Sequence, residues 1–80
     1  MTAKTPVPLH SSRRGMWMRI HSLPSGTLRA QLIRLGLNEG ERIFCLHRLP
    51  GGTTVIRKHR QQVAIGSALA RQIFVILLGE

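Results

Sequence analysis

Turn signals cut this chain into pieces too short for anything except a small, mostly β fold. Pro24-Ser25-Gly26 and Leu49-Pro50-Gly51-Gly52 set backbone dihedrals that other residues resist, and Gly36 and Gly40 add two further stops. Between them the apolar pattern alternates. Met16, Met18 and Ile20 interleave with Trp17, Arg19 and His21, the period-2 signal of a half-buried strand over Met16–Leu23. Ile43 and Cys45 share one face of a second strand over Glu41–Arg48, with Phe44 and Leu46 on the other. The β-branched run Thr53–Lys58 makes a third strand, so residues 41–58 read as a hairpin. Val63 and Ile65 mark a short fourth strand, Gly66–Ala70 a single helical turn, and Ile73–Leu78 a final apolar strand.

One segment follows a different period. Leu28, Leu32 and Leu35 stand at i, i+4 and i+7, which predicts a short helix with Thr27 as its N-cap and Gly36 as its left-handed stop. Such a helix is too short to be stable alone and must dock on a sheet. Short strands at close spacing with one small helix point to an SH3-like barrel, since closure removes the exposed edges that aggregate. A small split α+β sheet is the competing architecture. The opening residues 1–14, with two prolines and only Val7 and Leu9 as apolar anchors, are expected to form a flexible segment ahead of a single domain over 15–80.

Composition narrows the function. Twelve Lys and Arg against three acids give a formal charge of +9 over 80 residues. Three carboxylates, Glu39, Glu41 and Glu80, leave little for acid–base catalysis, and no nucleophile–histidine–carboxylate set is suggested. The expectation is a non-enzyme without a cofactor. The one cysteine, Cys45, forbids an internal disulfide. Cys45 and His47 lie two apart on a strand and could seed a metal site, but Cys45 alternates with Ile43 on the core side, so no metal ligand set is assigned. Residues 1–15 lack the apolar stretch of a secretory signal, and the longest apolar run, Ile73–Leu78, falls far short of a bilayer span, so a cytoplasmic protein without membrane insertion is expected.

If Ile20, Ile43 and Ile56 point inward, Trp17, Phe44 and Val55 point outward, and Phe74 does the same if Ile73 and Val75 fill the core. Contiguous exposed apolar residues mark partner sites. The distributed cations, among them the cluster Arg57-Lys58-His59-Arg60, would attract phosphates or an acidic protein surface. Three aromatic residues are few for a single-strand platform. A nucleic-acid-binding barrel and a metal-responsive module therefore stand as alternatives.

The segment LRAQLIRLGLNEGERIFCL (Leu28–Leu46) resembles the signature of the FeoA family, small accessory proteins of bacterial ferrous iron transport. The shared pattern is a basic leucine-rich helix, the L-G-L of Leu35-Gly36-Leu37, a turn ending in Gly40, and an alternating strand. The Gly15 turn before the first strand, the Leu49–Gly52 turn, the strand Val63-Ala64-Ile65 and the closing Gln72–Leu77 extend the resemblance over about residues 9–77. Arg60 departs from it, standing where the family commonly carries glycine, which implies a differently built turn. Phe44 and Phe74 stand where many relatives put charges.

The resemblance implies an SH3-like barrel with a helix packed over it, acting beside FeoB, a membrane ferrous transporter with a cytoplasmic GTP-hydrolysing domain. It also implies kinship with the C-terminal domain of iron-dependent repressors. On this reading the chain is an adaptor that binds the cytoplasmic part of the transporter and modulates it, and a homodimer is compatible with it. The contact surface is expected on Arg29, Ile33, Arg34 and Leu37 beside Trp17, Phe44 and Val55.

Overall fold

The computed structural model describes residues 5–79. Strands β1 (Val7–Pro8), β2 (Trp17–Ser22), β3 (Arg42–Arg48), β4 (Thr54–Lys58), β5 (Gln61–Ile65) and β6 (Phe74–Gly79) form one six-stranded sheet in the order β1-β6-β2-β3-β4-β5. Every paired neighbour is antiparallel. A 3₁₀ turn (Leu9–Ser11) follows β1, helix α1 (Thr27–Arg34) joins β2 to β3, and the single turn α2 (Ser67–Ala70) joins β5 to β6. This is the small SH3-like barrel architecture, with the hydrogen-bonded ladder left open between β1 and β5. Irregularities at Trp17/Met18 and Ile20/Ser22 in β2, and at Cys45/His47 in β3, bend the sheet, as bulges do.

The core is the concave side of that curl. Met18 and Ile20 from β2, Ile43 and Cys45 from β3, Ile56 from β4, Val63 and Ile65 from β5, and Val75 from β6 all lie inside, as period-2 alternation requires. Leu32 from the helix, Leu37 beyond it, and Ala70 and Ile73 from the last connection close the cluster. Cys45 is fully buried, donating weakly to the His47 carbonyl at 3.9 Å and accepting the Ser12 hydroxyl at 3.7 Å.

The N-terminal boundary lies earlier than residue 15. Val7 pairs with Val75 and Pro8 with Phe74, the Leu9 amide donates to the Ile73 carbonyl at 2.7 Å, and Leu9 and Ser12 are fully buried. The two apolar anchors in the segment suffice to seat residues 7–12 on β6 and in the core, prolines notwithstanding. Residues 1–4 lie outside the described range.

The helix also differs from expectation at its ends. Thr27 is its first residue, and the N-cap is Gly26, whose φ of 74° takes the chain into a turn geometry favouring glycine. At the other end, the Gly36 amide donates to the Ile33 carbonyl and the Leu37 amide to Leu32, the paired bonds of a Schellman stop, with Gly36 at φ 87°. That motif brings the residue after the glycine back against the helix. Leu37, expected on the surface, is therefore completely buried beside Leu32, whereas Leu35 is 42% exposed. Of the expected stripe, Leu32 alone is fully buried and Leu28 is half-buried.

A polar clasp holds this corner. Lys58, at the inward end of β4, donates to the Gly36 carbonyl and pairs with Glu41. Asn38 donates to Glu41 at 2.8 Å. The Lys58 and Asn38 hydrogen bonds hold the Glu41 carboxyl below its ordinary value.

Candidate functional site: the outer face of β2, β3 and β4

Alternation that sends Met18, Ile43 and Ile56 inward sends their neighbours outward. Trp17 on β2 stands directly opposite Phe44 on β3, and Phe44 directly opposite Arg57 on β4. The indole and phenyl rings meet edge to face, centroids 5.0 Å apart at 61°. The Arg42 guanidinium lies 5.1 Å from the Trp17 ring centre and that of Arg57 lies 5.0 Å from Phe44. Two rings and two guanidinium groups thus interlock across three strands. An edge-to-face pair adds about 0.5–1.5 kcal/mol beyond burial, and each exposed cation–π contact about 0.5–1 kcal/mol. Trp17, Arg42, Arg57 and His59 line an open hollow of about 450 Å³ beside it.

The expected site residues separate into three groups. Trp17 and Phe44 are in contact, and Val55 shares the outer side of β4 with Arg57. Arg29, Ile33 and Arg34 lie on α1, where Ile33 is 44% exposed and Arg34 is exposed. Arg29 forms a forked pair with Glu39 at 3.2 and 3.3 Å, and Glu39 also accepts the Leu23 amide. The Arg29 hydrogen bond, then that of Leu23, holds the Glu39 carboxyl below its usual value. Leu37 leaves the surface set altogether, for the reason given above. Phe74, 36% exposed, sits opposite Ser22 and Pro8, at the far end of β6 from Gly79, which faces Trp17. It does not join the aromatic pair.

Arg42, Arg57 and His59 complete the face and were not singled out for it. The signal was present: Arg42 is two residues from Phe44 on one strand, and Arg57 two from Val55. The run Arg57-Lys58-His59-Arg60 is split by the same alternation. Lys58 turns in to Glu41 while Arg57 covers Phe44 outside. The β4–β5 turn places its left-handed residue at His59, φ 55°, so the glycine missing at Arg60 is answered one position earlier. Cys45 and His47 do not form a pair of ligands, because the bulge between them leaves Cys45 in the core and His47 exposed. Among the described residues no three His, Cys, Asp or Glu side chains converge. Nor, among those residues, is any helix long and apolar enough to cross a membrane.

Comparison with known proteins agrees with this architecture. The FeoA domain family model matches residues 7–77. The chain belongs to the FeoA family. The match begins at β1, where the structure also begins its sheet. Among solved structures, the crystal structure of an iron uptake regulatory protein (FeoA) is 29% identical, with a TM-score of 0.82 over 92% of this chain and all of that one. An FeoA-like protein from Clostridium acetobutylicum is 18% identical at TM-score 0.82, covering 99% of this chain and 93% of its own. A manganese-dependent transcriptional repressor shares the fold at TM-score 0.82 and 18% identity, this chain spanning 45% of its length. No curated protein sequence matches significantly.

Proposed function

We propose that this FeoA-family protein is a non-enzymatic, cytoplasmic accessory of ferrous iron uptake that docks on the cytoplasmic part of an FeoB-type transporter and modulates it. Ferrous ion is cargo of the transporter in this reading, and the chain itself holds no cofactor. Family membership supports the pathway, and the observation that carries the docking surface is the interlocked face of Trp17, Phe44, Arg42 and Arg57. Tryptophan, phenylalanine and arginine are the residues over-represented at the centres of protein interfaces. Here they already contact one another before a partner arrives, an arrangement that lowers the ordering cost of association. Val55 extends the face, and the exposed helix residues Ile33 and Arg34, with Arg29, offer a second contact strip.

Binding of the purified cytoplasmic domain of the transporter, measured by calorimetry, tests this. The double variant W17S/F44S should lose at least about tenfold in affinity, since a central anchor contributes 1.4 kcal/mol or more. Its circular dichroism should stay native, because neither ring belongs to the buried cluster. I33S should weaken binding more mildly. Failure of the wild-type chain to bind, or full affinity in both variants, overturns the proposal.

A further inference from the structure

The outer face carries more positive charge than docking of apolar edges needs. Arg19 and Arg42 stand directly opposite each other across the β2–β3 ladder, and like charges so placed destabilise an antiparallel pair. Arg57 lies one strand further on, and His59 sits at the rim of the hollow in its left-handed turn. Among the described residues none of Arg19, Arg42 and Arg57 has an ion-pair partner; the two described carboxylates are engaged elsewhere, Glu39 with Arg29 and Glu41 with Lys58. A like-charge pair with no counter-ion among the described residues is a place where a bound anion gains.

We infer that this hollow is a binding site for an oligophosphate: the phosphate chain of a nucleotide, or successive backbone phosphates of a single-stranded nucleic acid. A guanidinium resting on an aromatic ring uses its flat face, so its in-plane N–H forks remain free for acceptors. The Arg42 and Arg57 guanidinium groups stand over the Trp17 and Phe44 rings, and neither has an ion-pair partner among the described residues. A single carboxylate brings one charge and satisfies one fork. Linked phosphates bring several charges with acceptor oxygens on every side, matching the two arginines, Arg42 and Arg57, that line one space with His59, and Arg19 opposite Arg42 on the neighbouring strand. The volume of about 450 Å³ lies within the range of small-ligand sites. The indole of Trp17 and the plane of Arg42 offer flat surfaces of the kind on which bases stack. This inference shares Trp17, Arg42 and Arg57 with the proposed docking face, but its test needs no transporter, so either can fail without the other.

Trp17 is the one tryptophan of the chain, so its fluorescence reports from the wall of the hollow. The full chain is titrated with inorganic triphosphate, a nucleoside triphosphate, a single-stranded oligonucleotide of about 12 residues, and a glutamate-rich peptide of equal charge. A saturable change with the phosphate probes, weakened at least about tenfold by R42Q/R57Q and by raising salt to about 150 mM, is expected. R71Q, at the exposed arginine that ends α2, should leave it unchanged. Tighter binding of the nucleotide than of the other probes identifies a free nucleotide as the source; tighter binding of the oligonucleotide identifies nucleic acid. If R42Q/R57Q does not fold, the side-chain Nε–Hε resonances of the wild-type chain decide: Arg42 and Arg57 should shift with triphosphate and Arg29 should not. No saturable response, an unchanged response in the folded double variant, or equal affinity for the peptide overturns the inference.

Discussion

The two faces of β2, β3 and β4 are made from alternate residues of the same strands. Inside, Met18, Ile20, Ile43, Cys45 and Ile56 are all at most 1% exposed, and no charge is present among them. Outside, Trp17, Phe44 and Arg57 are half-buried and Arg19 and Arg42 are exposed. The inner face is held by burial, at about 25 cal/mol per Å². The outer face is held by a few ring and cation contacts, each weaker than one buried isoleucine. One face can therefore change without loss of the fold, and the other cannot. A domain of this size, with one small core, can specialise its exterior only because alternation separates the two tasks residue by residue.

The sharpest way to break that contrast is inside. Ile56→Ala removes a fully buried side chain from β4, the strand between β3 and β5, and should cost about 2–5 kcal/mol in urea unfolding. Such a loss takes most of the stability of a small domain. A cost under about 1 kcal/mol would mean that the curled sheet is not the core.

The helix corner offers the next test, because sequence and structure differ there. Leu37→Ala should cost about 2–4 kcal/mol, as a completely buried leucine does. Ile33→Ser, four residues earlier and 44% exposed, should stay within about 0.5 kcal/mol. Equal costs would place both residues in the same environment and dissolve the distinction.

The smallest effect is electrostatic. Glu41 titrates below its ordinary value because Lys58 and Asn38 donate to its ionised form. A carboxylate of depressed pKa adds stability that is fully present above its unfolded value of about 4.3, and that is lost as pH falls through the lower folded value. The melting temperature should therefore fall below about pH 4, and Glu41→Gln should flatten that acid limb while lowering the neutral plateau slightly. An unchanged acid limb in Glu41→Gln would remove the clasp from the account.

Most of the fold could be read from the chain because it rests on local signals. Alternation in Met16–His21 and Arg42–Arg48 fixes which residues face in, and the glycine and proline turns fix where strands end. What could not be read depends on contacts between distant segments. Leu9 and Val7 look like isolated apolar residues in a polar tail until β6 supplies their partners. Leu37 looks like a loop residue until the Schellman bonds turn it back on Leu32. The site was half legible in the same way. Trp17 and Phe44 could be assigned outward from alternation alone. Their pairing, and the covering of each ring by an arginine from a neighbouring strand, depends on register, which the turns set only once the sheet exists. The exclusion of Phe74 follows from register too.

The most direct measurement is an amide chemical-shift titration of the isotope-labelled chain with the unlabelled cytoplasmic domain of an FeoB-type transporter. The account predicts perturbations concentrated at Trp17, Phe44, Val55 and the helix residues 29–34, with the amides of Ile56 and Val75 shifting little. Perturbations confined to the β1–β6 side around Phe74, or none at saturating partner, would contradict it.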